Sequence, residues 1–305
     1  MLKNILVLIV LNLFLFGHSQ ILKQEIPDKL VVLTFDDAPA SQYSVVAPML
    51  KEFGFGATFF VCEFPPNHKD STLYMNWRQI KALDKMGFEV ANHTRTHANV
   101  GKLSQMEFNA ELEYIENKCD SLGIAEPKNF AYPGYGLNAL ALEFLLKKEY
   151  AFARAGGSRT YDPLVDHPYL IPSWATDSEN KNEIMSSMGL AKNGKIVVLT
   201  LHGVPDIEHP WVNTPPELFM EYLQYLWDHN YKVISLRDLE AYIDVAVAKR
   251  IIAPDLSNNL KNKCHQRQFQ NLFVSEFNSS VLSKIYCRFK KQNQQLRFRT
   301  PVPPW

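Results

Sequence analysis

The chain has 305 residues, 46% of them apolar, and its 32 Lys and Arg balance its 32 Asp and Glu. So much apolar sequence excludes a chain disordered throughout, and the lack of net charge argues against a basic nucleic-acid footprint or a polybasic membrane surface. The length suits two ordinary domains or one (β/α) barrel with additions.

Lys3 opens the chain, an apolar run broken only by Asn12 covers Ile5–Phe16, and Gly17-His18-Ser19 follows with small residues. This predicts a signal peptide over 1–19 and export to the periplasm or the medium. The run is short for a bilayer span; an uncleaved anchor is the alternative reading. No other segment approaches membrane-spanning length, so no stable membrane insertion is expected after cleavage.

From Leu30 onward short apolar runs alternate with longer amphipathic stretches. Strands are predicted at Leu30–Phe35, Ala57–Val61, Phe88–Ala91, Asn129–Tyr132, Ala151–Ala153, Tyr169–Ile171, Ile196–Leu201 and Lys232–Ile234. Helices are predicted at Ser44–Phe53, Trp77–Met86, Gln105–Leu122, Ala139–Lys147, Glu183–Ala191, Glu217–Asp228 and Leu236–Val247. Ser104 with Glu107 is a capping box for the third of these. Strands alternating with helices imply parallel pairing. The repeat count predicts a closed or nearly closed barrel; a doubly wound open sheet is the alternative, but no GxGxxG follows the first strand. In either architecture the chemistry belongs just after the carboxyl ends of the strands.

Charge divides the chain unevenly. Residues 1–250 hold 23 basic and 30 acidic side chains, and residues 251–305 hold 9 and 2. This places a boundary near Ile251, with a catalytic domain over 20–250 and a basic extension, partly disordered, over 251–305. A small module for an anionic surface or a glycan is the alternative for that extension. The four cysteines, Cys62, Cys119, Cys264 and Cys287, permit three disulfide connectivities. Their spacing contains no CxxC, and Cys62 and Cys119 are equally well read as buried thiols.

Three strand ends carry reactive side chains. The first strand runs into Asp36-Asp37, adjacent carboxylates that repel unless a proton or cation intervenes. The third ends in Asn92-His93-Thr94-Arg95-Thr96-His97, whose two histidines can face one ion. With one carboxylate they make three ligands and leave positions open, as in catalytic rather than structural zinc sites. The seventh strand ends in His202. Each feature alone has an ordinary structural explanation: a solvated turn, a capping pair, a core histidine. Together at one rim they are a site. The fourth strand adds Tyr132-Pro133-Gly134-Tyr135, a tight turn able to aim backbone N–H groups at an oxyanion.

Thr34-Phe35-Asp36-Asp37, His93-Thr94-Arg95-Thr96-His97, Tyr132-Pro133-Gly134-Tyr135 and Leu199-Thr200-Leu201-His202 resemble, in order and spacing, the motifs of the polysaccharide deacetylases (carbohydrate esterase family 4, the NodB-homology domain). The resemblance covers roughly residues 28–245. It implies a distorted (β/α)7 barrel and removal of acetyl groups from N-acetylated glycans such as chitin, peptidoglycan or poly-N-acetylglucosamine. It also implies Asp37, His93 and His97 as metal ligands, Asp36 as base toward a metal-activated water, His202 as acid, and the Tyr135 N–H at the oxyanion. Zinc is the default ion, with cobalt or another divalent ion also suited to the ligands. Leu199 or Leu201 would line the acetyl pocket, and Trp174 and Trp211 follow strand ends where flat rings stack on sugars or cap the barrel. The family's base-orienting arginine in the third motif is replaced by Ala131, and Arg154 is the candidate to reach Asp36 instead. His68 and His167 lack a motif and read as surface or structural residues. An O-acetyl esterase, a related amide or imide hydrolase, and a non-catalytic glycan binder are the alternatives. The oligomeric state is not legible.

Overall fold

The computed structural model describes residues 21–257; the expected signal peptide and nearly all of the basic extension, with Cys264 and Cys287, lie outside them. Among the described residues eight parallel strands form one sheet, β1 (Leu30–Phe35), β2 (Thr58–Val61), β3 (Glu89–Asn92), β4 (Asn129–Ala131), β5 (Phe152–Arg154), β6 (Trp174–Ala175), β7 (Val197–Leu201) and β8 (Lys232–Ile234); seven run in the order β5-β4-β3-β2-β1-β7-β6, and β8 pairs with β1 off that path. One edge of β1 pairs along its length with β7. The other is shared: β8 takes Leu30–Val32 and β2 takes Thr34 and Phe35. Gly56 permits this crowding, because a Cβ there would stand 2.9 Å from the Ser235 nitrogen.

The sheet curls into the expected distorted barrel, and one stretch completes the curl. Residues 168–171 bond to β5 through Ala153 N–H to the Pro168 carbonyl and Ala155 N–H to the Ile171 carbonyl. A few residues later Trp174–Ala175 pairs with β7. The expected sixth strand at Tyr169–Ile171 is thereby corrected. That segment contributes only a bridge from Ile171 to Arg154, since the chain changes partner midway and neither pairing is long.

Among the described residues seven α-helices accompany the strands: α1 (Ala47–Phe53), α2 (Trp77–Lys85), α3 (Gln105–Leu122), α4 (Ala139–Lys147), α5 (Lys181–Met188), α6 (Pro216–Asp228) and α7 (Val245–Ile251). The Ser104–Glu107 capping box opens α3, and Gly123 closes it at φ 64°, a conformation that disfavours a Cβ. The expected helix over Leu236–Val247 is broken. Ile243 instead pairs antiparallel with Leu22, and Asp244 starts α7 afresh by accepting from the Val247 N–H. A π-turn over Gln42–Val46 precedes α1.

Strand alternation separates two apolar layers. Val31, Leu33 and Phe35 of β1 pack outward beneath α1 and α6, while Leu30 and Val32 join Phe60, Ala91, Ala131 and Val198 inside the barrel. The described residues as far as Leu256 belong to one compact unit. Among the described residues no helix is long and apolar enough to cross a membrane. Cys62 and Cys119 are buried free thiols.

Candidate active site

The inward alternation of each strand continues into the residue that follows it. Asp36 extends β1, its N–H donating to the Leu201 carbonyl at 2.9 Å, and β3, β5 and β7 deliver His93, Arg154 and His202 to the same rim. The backbone there is strained. Asp37 and Ala38 adopt φ of 69° and 57°, and Thr94 and His97 adopt 61° and 54°. Left-handed backbone without glycine costs on the order of 1–3 kcal/mol per residue and persists only where the surroundings enforce it. Around the histidines that enforcement is visible. The Thr94 N–H donates to Asn92 Oδ1, and the Asn92 amide donates to the Leu112 carbonyl and the Tyr150 hydroxyl. Glu111 of α3 accepts from both the N–H and the hydroxyl of Thr96.

Asp37, His93 and His97 converge, with one ligand atom from each lying within 4.8 Å of the others. Asp37 Oδ1 stands 3.3 Å from Nε2 of His93 and 3.3 Å from Nε2 of His97. Bonds of about 2.0–2.1 Å to a tetrahedral ion place its ligand atoms about 3.3 Å apart, so these two edges fit such an ion. The His93 Nδ1 lies 2.9 Å from the Ala131 carbonyl, which fixes the N–H on that nitrogen and leaves Nε2 free to ligate. Burial opposes ionisation of Asp37, but the adjoining His93, His97 and His202 rings outweigh it and hold the carboxyl well below the usual range. Burial lowers His97 to about 4, keeping its imidazole neutral, as a ligand must be.

Beside this cluster, Arg154 donates from Nη2 to Asp36 Oδ2. The guanidinium is fully buried and packs 5.5 Å from the centroids of the Phe60 and Tyr135 rings. His202 presents Nε2 3.9 Å from Asp37 Oδ2. Among the described residues, Asp36 Oδ1, Asp37 Oδ1, His202 Nδ1 and Arg154 Nε and Nη1 are buried without a hydrogen-bond partner. Buried polar atoms without partners are uncommon in folded interiors, and here they converge on the Asp37–His93–His97 cluster.

Other expected residues fall elsewhere. The Tyr135 N–H donates to the Tyr132 carbonyl within the turn, while its ring fills the barrel mouth and its hydroxyl faces Thr200 and Ser173. Leu201 and Trp174 lie in the outer apolar layer beneath the helices, not on the inner face with Asp36 and His202. Trp211 is 58% exposed, so it does not cap the barrel. It joins the rim through a ladder of rings, standing 5.3 Å from His209, which is 4.8 Å from Phe64, itself 4.8 Å from His97. His68 lies 3.5 Å from Glu63, and His167 accepts from the Tyr169 N–H; both serve local structure. Asn92 and Glu111 went unnoticed in the sequence. The Asn immediately before His93 was the available signal for the first, and nothing marked the second.

Residues 23–153 match the polysaccharide deacetylase family model. A bifunctional xylanase/deacetylase of Pseudobutyrivibrio xylanivorans is 26% identical over 175 residues, 56% of this chain and 25% of that protein. A chitin deacetylase of Pestalotiopsis sp is 27% identical over 113 residues, 37% of each chain. The matched part thus spans between a quarter and about two fifths of these curated relatives. Among solved structures, the CE4 domain of a multidomain xylanase from the hindgut metagenome of Trinervitermes trinervoides gives a TM-score of 0.50 at 22% identity, covering 70% of this chain and 90% of that one. A peptidoglycan N-acetylglucosamine deacetylase gives 0.51 at 17% identity, covering 70% and 88%. A CE4 family pseudoenzyme from Bacillus anthracis gives 0.50 at 19% identity, covering 70% and 66%. The likeness is one of fold, and it extends to an enzyme and a pseudoenzyme alike.

Proposed function

We propose that this chain, which matches the polysaccharide deacetylase family model over residues 23–153, is an exported, divalent-metal-dependent hydrolase removing N-acetyl groups from a glycan. The observation that carries this reading is the Asp37–His93–His97 cluster, flanked by Asp36 on one side and His202 on another. Asp37 Oδ1 and the two Nε2 atoms would hold the ion, with zinc first among candidates and cobalt suited to the same donors. When bound, it supplies Lewis acidity, which polarises an acetyl carbonyl and acidifies water.

The side chains divide the remaining work. Asp36 accepts the proton of the attacking water at Oδ1, because Arg154 already occupies Oδ2. Arg154 thereby fixes the carboxylate's orientation, the task of the arginine that Ala131 replaces. His202 delivers a proton to the departing amine nitrogen, so water and amide become acetate and amine. The exposed Trp211 face and the ring ladder leading to His97 offer stacking surface for sugars. Tyr135, Leu201 and Trp174 would act on the substrate only by shaping the walls behind these groups.

A second reading keeps the site and changes the bond to an O-acetyl ester, as the relative named xylanase/deacetylase suggests. Metal analysis of the purified protein, with acetate release measured from chitin oligomers and from acetylated xylan, tests both. Release from the first supports the amide reading and release from the second the ester reading. A chain that binds oligomers, retains no divalent ion and frees no acetate is a glycan binder, and the hydrolase proposal then fails.

A further inference from the structure

Gln42 lies outside every motif, yet its side chain is fully buried at the rim. Its Nε2 donates to the Asp36 carbonyl at 2.6 Å and to the His202 carbonyl at 3.2 Å. An amide nitrogen has two protons to give, and here each meets the main chain of a different strand end. The orientation of the amide follows from chemistry, since both neighbours are carbonyl oxygens and only the NH2 side can face them. Its Oε1 is buried with no partner among the described residues, so burial of this amide is justified by its donors alone. The adjacent Ser41 hydroxyl accepts from the Val204 N–H at 2.9 Å, so residues 41 and 42 together clasp the segment 202–204. Gln42 begins the π-turn, and wide turns of this type recur where a helix is adapted to a site.

We infer that Gln42 is a positioning residue, clamping the end of β1 that carries the base against the end of β7 that carries the acid. The inference rests on the roles proposed for Asp36 and His202. β1 and β7 are already paired along their length, but regular pairing ends at Phe35 and Leu201. Beyond that point the chain enters two left-handed residues, Asp37 and Ala38, and Gln42 replaces the ladder where the ladder stops.

The test uses the full chain loaded with zinc and two variants. Gln42→Met removes both donors at nearly constant volume, and Gln42→Glu replaces them with an acceptor facing two carbonyls. For Gln42→Met the expected kcat is about 10–100-fold lower, in line with the cost of misplacing a reacting group by a fraction of an ångström to one ångström. KM stays within about twofold and metal content stays at the wild-type level, because neither the ligands nor the substrate surface is touched. Gln42→Glu should be worse in the same sense. Crystal structures of the wild type and Gln42→Met should show the Asp36 and His202 main chains further apart in the variant. A folded Gln42→Met with wild-type kcat overturns the inference, as does a loss of activity that follows lost metal or a raised KM. If the wild type frees no acetate from any glycan, the reading of the site fails. The crystallographic arm then still decides the clamp, an unchanged separation counting against it.

Discussion

The barrel buries carboxylates at both ends and treats them oppositely. At the floor, where strands begin, Glu89 Oε2 accepts from the Thr58 hydroxyl and the Arg237 N–H, and Oε1 accepts from the Asn129 amide. Each of these donors belongs to a different neighbouring element, so the network stitches the barrel bottom and is complete. At the rim, Asp36 and Asp37 each keep a buried oxygen without a partner among the described residues, Arg154 likewise keeps two such nitrogens, and Asp37, Ala38, Thr94 and His97 sit in left-handed backbone. A satisfied network holds a fold. A strained and unsatisfied one of similar burial is maintained at a cost that folding alone does not repay, which is why the rim, and not Glu89, reads as the place where a ligand and its chemistry belong.

The contrast can be broken first by turnover. Asp36→Asn should lower kcat by about 10²–10⁴-fold, the usual worth of a general base, while retaining the metal. His97→Ala should lose the metal along with activity. Metal analysis beside acetate release separates the two, and a fully active Asp36→Asn would end the assignment of the base. Next comes stability. Arg154→Met leaves the Asp36 carboxylate buried without its countercharge, at an expected cost of about 3–5 kcal/mol in denaturant unfolding. Adding Asp36→Asn should recover part of that loss; no recovery would mean that Arg154 stabilises the barrel by packing alone. Near wild-type turnover by folded Arg154→Met would remove its orienting role. At the floor, Glu89→Gln sets an NH2 against the Asn129 amide. That amide cannot flip freely, because its Oδ1 accepts from the Phe152 N–H. The expected cost is about 1–3 kcal/mol, with turnover per folded molecule unchanged. A fall in kcat there would show that the two ends are not independent.

How much of this contrast could be read in advance depends on the range of the interactions. The Asp36-Asp37 pair, the His93/His97 pair and His202 are legible because each follows a strand whose apolar run marks its own end. Helix α3 is legible to the residue, since Ser104, Glu107 and Gly123 encode its limits locally. Leu201 and Trp174 mislead by lying near the rim in sequence. Alternation was the overlooked guide: if His202 faces inward, Leu201 must face the helices, alongside Val197 and Leu199. Arg154 obeys the same alternation, two residues past the inward Phe152. Gln42 leaves no sequence signature, because one of its partners is a carbonyl 160 residues away. The break before α7 is hidden likewise, since it depends on Ile243 pairing with Leu22.

The smallest expected effect is a difference in sign. Asp37 has its pKa depressed in the folded chain by the neighbouring imidazoles, against the opposing influence of burial. Its contribution to stability is therefore present above the ordinary carboxylate value of 3.8 and lost as pH falls through the folded value. His97, lowered by burial from 6.5 to about 4, acts in the same direction, because the unfolded chain takes up a proton that the folded chain refuses between those values. Glu89 is raised, burial outweighing the bonds from Thr58, Arg237 and Asn129. Its contribution is full below 4.5 and lost as pH rises through the folded value. At Asp37 and His97 acidification thus weakens the metal-free rim, and at Glu89 it relieves the floor; His93, which Asp36 and Asp37 raise against the opposing influence of burial, works against its rim neighbours. A tenfold difference in proton affinity is worth about 1.4 kcal/mol, and the opposed slopes partly cancel in the wild type. The variants separate them. In urea unfolding of the chelator-treated protein between pH 4 and 7, Glu89→Gln should steepen the loss of stability on acidification, and His97→Gln should flatten it. Slopes that move together would mean that the two ends titrate as one network, and the distinction between a saturated floor and an open rim would have to be given up.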